Sequence, residues 1–288
     1  MKLSIIVLSY NTKDLTAACI NSIIKQYKDQ LDSGDLEVIL VDNASTDGSV
    51  KEMSNIQCQI SNVKLIENRT NLGFSKGNNI GAKEAKGDYL LFLNSDTEVL
   101  DKGFFKMLDF LNNNKDVGVL GCKLKFPDGK VQSSCGKFYN LINSFLMLFG
   151  FEKFVRFAPN EIKLVDWVSG AAFMTRKDLF SRLNGFDENI FMYTEDMELC
   201  FRVKKESLDT FFFPDCNIIH KEGKSSNRTF AILEIYKGLL YFYRKHKSGF
   251  EYFLLKVMLD IKAIIAILIG YLTRNTYLTN TYKKAFSL

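Results

Sequence analysis

The chain of 288 residues is 47% hydrophobic and 25% charged, with 25 Phe and only 3 Pro, which supports one large folded domain or a domain with an appendage and excludes global disorder. Its net charge of +5 is confined to the C-terminus: residues 244–288 carry eight basic side chains against two acids, leaving −1 for residues 1–243. Basic charge held on an apolar tail, rather than spread over the main body, argues against a nucleic-acid partner.

Residues 3–8, LSIIVL, form a short β-rich run, and a helical pattern follows from about Asp14 to Tyr27. Residues 37–41, EVILV, are a second strand ending at Asp42, with turn or cap chemistry at Ser45 and Asp47 before a helix starting near Ser49. Residues 63–66, VKLI, are a third strand, residues 75–86 a glycine-interrupted helix, and residues 89–93 a fourth strand. This alternation predicts an α/β fold with a mainly parallel sheet and crossover helices. The strands are continuously apolar, as strands covered on both faces should be.

Ligands of such sheets bind outside the carboxyl ends of the strands. Here those ends read Ser9-Tyr10-Asn11, Asp42-Asn43, Glu67-Asn68-Arg69 with Asn71, and Asn94-Ser95-Asp96. One polar strand end is an ordinary wet loop, but four in succession point to a shared polar edge. Asp42 can accept hydrogen bonds from a base or ribose, or simply build a turn. The stretch 68–83, NRTNLGFSKGNNIGAK, holds Gly73, Gly77 and Gly81 and is neither a P-loop nor a GxGxxG fingerprint. It offers backbone N–H groups to a phosphate, or small residues for close packing. Asn94 and Asp96 are expected on one side of an extended segment, an oxygen-only pair suited to Mg²⁺ or Mn²⁺ completed by substrate phosphates. Asp96 is too far from a helix starting after Leu100 to cap it.

Further on, Thr194 is expected to be an N-cap, with Glu195 and Asp196 in the first helical turn and an apolar face of Met197, Leu199, Cys200 and Val203. A carboxylate emerging there after the apolar segment NIFMY is a candidate general base, and the residues alone do not choose between Glu195 and Asp196. Asp187 is the next carboxylate in line. His220, after an apolar stretch, is a candidate ligand or proton carrier. Trp167, the single tryptophan, is either a sugar platform beside a Ser-Gly turn or a core residue.

The six cysteines are scattered, with no CxxC pair, which argues against a zinc site and a disulfide framework. The opening MKLSIIVLSYN is too short for a signal-peptide core, so a cytoplasmic location is expected.

In order, SIIVLSYN (4–11), VDNASTDGS (41–49), NLGFSKGNN (71–79), GDYLLFLNSD (87–96), WVSGAAFMTR (167–176), GFDENIFMYTEDMELCFR (185–202) and His220 resemble a family 2 glycosyltransferase with the GT-A fold. The NLGFSKGNN and EDMELCFR forms are most similar to the rhamnosyltransferase-like branch. The resemblance, over about residues 3–245, implies an inverting transfer from a nucleoside diphosphate sugar (dTDP- or UDP-linked) to a hydroxyl of a lipid-linked or polysaccharide acceptor in cell-surface glycan synthesis. Carried over by position, Asp42 contacts the nucleotide base, and Ser9, Asn11, Asn71, Gly73, Asn78 and Asn94 belong to the donor site. Asp96 binds the metal with the diphosphate, and His220 adds a ligand. Asp196 is the catalytic base, with Glu195 supporting it, and Trp167 and Gly170 border the acceptor site. Asn94 departs from the pattern, because the metal-binding element normally opens with Asp.

Two rival functions are weaker. A sugar nucleotidyltransferase wants a glycine-rich basic loop after strand one, where SYNTKD stands. A non-catalytic sugar- or nucleotide-binding module has no need of the Glu195-Asp196 pair.

The apolar stretch 250–274 is interrupted by Lys256, Asp260 and Lys262, so its longest run, 263–273, falls short of the about 20 residues a membrane span needs. A division into residues 1–245 and 246–288 is expected, the tail forming an amphipathic helix on the anionic inner face of the cell membrane. Packing on the domain and homodimerisation are its alternative uses.

Overall fold

The computed structural model describes residues 1–221 and 227–288. Its first half runs β1 (Leu3–Ser9), α1 (Lys13–Asp32), β2 (Leu36–Asp42), α2 (Ser49–Gln59), β3 (Val63–Glu67), α3 (Gly73–Glu84), β4 (Tyr89–Asn94), β5 (Thr97–Val99), α4 (Gly103–Asn113) and β6 (Val117–Lys125). Then come β7 (Cys135–Gly136), α5 (Leu141–Leu148), a 3-10 turn at Glu152–Phe154, β8 (Arg156–Phe157), β9 (Lys163–Val165), β10 (Trp167–Val168), β11 (Ala172–Arg176), α6 (Lys177–Arg182), α7 (Glu195–Lys205) and β12 (Asp209–His220). Three helices close the chain: α8 (Arg228–His246), α9 (Gly249–Leu272) and α10 (Thr276–Phe286).

The order β3-β2-β1-β4 is parallel throughout, as the sequence pattern requires. Every residue of β2 is buried, which explains its unbroken apolar run. The chain then adds strands that local patterning does not reveal. β11 lies antiparallel between β4 and β6, β6 runs parallel to β12, and β12 carries β5 and β9 antiparallel to it. A small second sheet has the order β10-β7-β8.

Two cores cover the two faces, and β4 shows how the pleat divides its side chains between them. Leu91 and Leu93 join Tyr27, Phe104 and Met107 under α1 and α4, while Leu90 and Phe92 join the opposite core. Phe92 lies 4.8 Å from Phe180 and 4.9 Å from Phe186, ring centre to ring centre. Such pairs contribute about 0.5–1.5 kcal/mol each beyond area burial, so the strand that ends in Asn94 is held rigidly.

α7 is tied to α8 by a buried ion network. Glu198, fully buried, accepts from Arg202 Nε (2.8 Å), Lys245 Nζ (2.9 Å) and His246 Nε2 (2.9 Å). Burial alone would push its carboxyl up, but these donors outweigh it and hold it at about 2.

α9 opens with a capping box between Ser248 and Glu251. One stripe of it, Leu255, Leu259, Ala263 and Ala266, enters the same core as Phe92, together with Tyr282 and Ala285 of α10. The Lys262 ammonium donates to the Leu148 carbonyl of α5. The tail therefore packs on the domain. It is not amphipathic as expected, because the opposite stripe, Phe253, Val257, Ile261, Ile264, Leu268 and Leu272, is also apolar and is exposed. Among the described residues, no helix is long and apolar enough to cross a membrane.

Candidate active site

The sheet places the polar strand ends side by side. Ser9 is in register with Asp42 on one side, and Leu8 with Asn94 on the other. Asp42 and Asn94 thus flank β1, about 10 Å apart at the usual strand spacing. Asp42 is buried; its Oδ2 accepts the Ser45 N–H at 2.8 Å, while its Oδ1 has no partner among the described residues. A buried acceptor left open is costly unless a ligand donates to it.

The neighbouring polar residues are spent on fixing loops. Ser9 Oγ shares hydrogen bonds with Thr12 (3.1 Å) and Thr16 (3.0 Å). Asn11, at φ 52°, accepts from the Thr46 N–H at 2.8 Å, tying the β1 loop to the β2 loop. Asn71 Oδ1 accepts the Gly73 N–H at 3.0 Å, and Asn78 Nδ2 donates to Phe74 O inside α3. Ser9, Asn11, Asn71 and Asn78, assigned to the donor site from the sequence, thus also fix the loops of that edge. Gly73 has φ +80°, and a Cβ there would sit 2.5 Å from the Phe191 carbonyl oxygen, so only glycine lets α3 start at this point.

Asn94 and Asp96 do converge, but not along an extended strand. Ser95 and Asp96 form a turn between β4 and β5, and pairing of Thr97 with His220 on β12 brings the imidazole to Asp96. Helix α4 is served by Asp101 instead, whose Oδ1 accepts the Gly103 N–H at 2.9 Å.

The imidazole is oriented by Gln132, a residue the sequence reading missed. Gln132 Nε2 donates to the His220 carbonyl at 2.7 Å, which turns Oε1 toward His220 Nδ1 at 2.9 Å. Nδ1 then donates to Gln132 Oε1, and Nε2 faces Asp96 Oδ1, 3.3 Å away, with the Asn94 amide at 3.5 Å. Asp96 Oδ1 and the imidazole face each other with Asn94 beside them, and a histidine held through its other nitrogen in this way could serve as a metal ligand. Among the described residues, no group of three His, Cys, Asp or Glu side chains that could hold a metal ion is found, so Asp96 and His220 could supply only part of a metal's ligands.

β11 joins this pair to the acidic helix. The Asn94 N–H donates to Ala171 O at 3.1 Å, and one residue earlier the Gly170 N–H donates to Asp196 Oδ2 at 2.8 Å. Asp196 Oδ1 accepts the Met197 N–H at 2.7 Å. Burial raises the Asp196 carboxyl, although Gly170, Met197 and the nearby Arg156 charge favour its ionised form. Glu195 is driven well above the usual carboxylate range by burial and then by Asp196, and its Oε2 has no partner among the described residues. Asp196 thus has a peptide N–H on each carboxylate oxygen while Glu195 Oε2 has none, a difference the sequence does not show.

Three expectations need correction. Thr194 precedes α7, but with φ +71° its hydroxyl makes no cap bond. Asp187 is bound by Lys245 Nζ (2.5 Å) and Tyr241 Oη (2.8 Å), which outweigh burial and hold it below the usual carboxylate range; it is a partner of α8, not a reserve base. Trp167 is only 3% exposed, donates Nε1–H to Lys137 O at 3.0 Å and packs on Tyr139, so it is a core residue rather than an exposed sugar platform.

A cavity of about 280 Å³ opens beside His220 and Ser169. Arg156, Lys153, Ser133 and Ser134 also line it. These residues carry no motif; the only sequence signal is the polar run VQSS after the turn PDG.

The pattern of Glycosyl transferase family 2 matches residues 4–182. The chain is 30% identical over 243 residues to the O-antigen biosynthesis protein RfbC of Myxococcus xanthus, covering 81% of this chain but 18% of RfbC. It is 27% identical over 218 residues to the N-acetylglucosaminyl-diphospho-decaprenol L-rhamnosyltransferase of Mycobacterium tuberculosis, covering 67% of this chain and 69% of that one. Among solved structures, the mannosyltransferase PcManGT of Pyrobaculum calidifontis, in complex with GDP-Man and Mn²⁺, superposes with a TM-score of 0.61 at 16% identity, over 99% of this chain and 73% of that one.

Proposed function

This chain belongs to glycosyl transferase family 2 and has the GT-A fold, and from that premise we propose that it is an inverting, metal-assisted transferase. It moves a sugar, rhamnose being the first choice, from a dTDP- or UDP-sugar to a hydroxyl of a lipid-linked or polysaccharide acceptor in cell-surface glycan synthesis. The observation that supports this reading is the bridge through Asn94–Ala171 and Gly170–Asp196, which ties the peptide-supported Asp196 carboxylate to the end of β4, where Asp96 faces His220.

In this reading Asp42 accepts from the nucleotide base through its open Oδ1. Asp96 and His220, with Asn94 beside them, hold Mg²⁺ or Mn²⁺. When bound, the ion offsets the charge that develops on the leaving diphosphate. Asp196 accepts the proton of the acceptor hydroxyl as that oxygen attacks the anomeric carbon from the face opposite the diphosphate. The Gly170 and Met197 N–H groups hold the carboxylate in place, and Glu195, uncharged, lets Asp196 keep its negative charge. Thermal shift tests the donor half of this. A cognate nucleotide sugar with Mn²⁺, at about 100 times its Kd, is expected to raise Tm by about 5 °C. A panel in which no dTDP- or UDP-sugar shifts Tm rejects the reading.

We further infer that the exposed stripe of α9 lies on the anionic inner face of the cell membrane. Support comes from its all-apolar character and from Arg274, Lys283 and Lys284 at its far end. Changing Phe253, Ile261 and Leu268 to Ser removes three exposed apolar anchors without touching the inner stripe. Each is worth about 1 kcal/mol or more, so affinity for anionic vesicles should fall by about 100-fold. Unchanged flotation of the triple variant rejects the membrane contact.

A further inference from the structure

The donor diphosphate has its place at Asp96 and His220, yet a second cationic site adjoins it. Arg156, on β8, points its guanidinium into the cavity beside His220 and Ser169. It is pre-positioned: Nη2 donates to Ser133 O at 3.1 Å, and the guanidinium stacks 5.6 Å from the centre of the Trp167 ring. Its Nε is buried and has no partner among the described residues. Lys153 lines the same cavity, and among the described residues neither cation forms an ion pair. Glu152 also lines it and only partly offsets the positive charge. A planar, fixed guanidinium with open donors is built for phosphate.

The segment that supplies these cations also carries exposed apolar side chains. Phe151 and Phe154 flank Lys153, and Ile142 and Phe145 stand exposed on α5. α5 is the helix that Lys262 binds, so this apolar surface continues toward the outer stripe of α9. A phosphate site next to the base, opening onto an apolar surface, fits an amphiphile that presents a sugar, then phosphate, then a hydrocarbon chain.

We propose that the cavity beside His220 binds the phosphate groups of a lipid-linked acceptor through Arg156 and Lys153, while Phe151, Phe154 and the exposed face of α5 guide its lipid chain. The proposal rests on the glycosyltransferase reading above and assigns that reading's acceptor a chemical class: a sugar on a polyprenyl-type phosphate or diphosphate. Ser169 lines the cavity and its neighbour Gly170 binds Asp196, which sets the cavity beside the base.

The test is binding of farnesyl diphosphate to the full chain with the donor site filled by nucleoside diphosphate and Mn²⁺, set beside farnesol and inorganic pyrophosphate. Arg156→Gln should weaken farnesyl diphosphate binding by about 10–100-fold, as loss of a charge-assisted hydrogen-bond donor does, and leave farnesol unchanged. Lys153→Gln, at an exposed position that cannot disturb folding, should weaken it severalfold in the same sense. Pyrophosphate binding as tight as that of farnesyl diphosphate would remove the lipid from the proposal. Displacement of the nucleoside diphosphate by farnesyl diphosphate, or no loss in either variant, would overturn it. Nucleotide-sugar affinity, read on the same samples, separates the two claims. If it is intact while farnesyl diphosphate fails to bind, the cavity assignment alone falls; if it is absent, the parent reading falls.

Discussion

Replacing Asp96 by alanine should abolish sugar transfer, lowering kcat by about 10²–10³-fold or more, the usual cost of removing a group that stabilises leaving charge. The structure gives the reason in three steps. Asp96 is 4% exposed, so its charge acts in a poorly solvated place. His220 Nε2 faces it at 3.3 Å, with the ring held from behind by Gln132. Asn94 brings an amide where a carboxylate would be more usual, so Asp96 is the one formal negative charge that β4 and its following turn contribute. Asp96→Ala therefore leaves a lone neutral ligand, and the Mn²⁺-dependent part of the thermal shift should disappear with activity. Two results oppose this: full activity in EDTA, or an Asp96→Ala protein whose Tm still responds to Mn²⁺ and nucleotide sugar together.

The sequence reading reached the polar edge of β1 to β4 because each of those strands is a contiguous apolar run with its polar groups immediately after it. Burial on both faces writes itself into local composition. Most of the remaining strands have five residues or fewer and the long β12 is broken by register shifts, and the places of all of them, β6 included, depend on partners far away in the chain. Gln132 meets His220 across 88 residues, and Arg156 reaches Ser133 O and the Trp167 ring only because β7, β8 and β10 form a small sheet of their own. Trp167 looked like a ring-stacking candidate because nothing local shows that Lys137 O takes its N–H. Nor does the sequence show that Ser9, Asn11, Asn71 and Asn78 also hold the loops of that edge, binding Thr12, Thr46, Gly73 and Phe74. α9 was read as one-sided because its charges were given a face. In three dimensions Lys256 pairs with Asp260 and Lys262 binds Leu148 O, which leaves both broad faces apolar.

Asp196→Asn is expected to cut kcat by about 10²–10⁴-fold, the usual contribution of a general base, with little change in donor affinity. Asn keeps the size of Asp and its oxygen can still accept one of the two N–H groups, from Gly170 and Met197, so the fold around β11 should persist. What it loses is basicity. The wild-type carboxyl is raised by burial, so activity should fall, as the medium is acidified, at a pH above the ordinary Asp range of about 3.9. That acid limb follows from the sign of the shift: a base works only when deprotonated, and a raised pKa protonates it sooner. The Asp196→Asn profile should lack this limb. Glu195→Gln is the discriminating control. If Glu195 is the proton-holding partner, Gln replaces a neutral acid by a neutral amide of the same shape, and the loss should stay below about 10-fold. A large loss in Glu195→Gln with near-normal kcat in Asp196→Asn would reverse the two roles. Activity retained in both would leave the transfer without a base on α7, and with Asp187 locked to Lys245 and Tyr241 the proton would have to leave through solvent or the substrate itself.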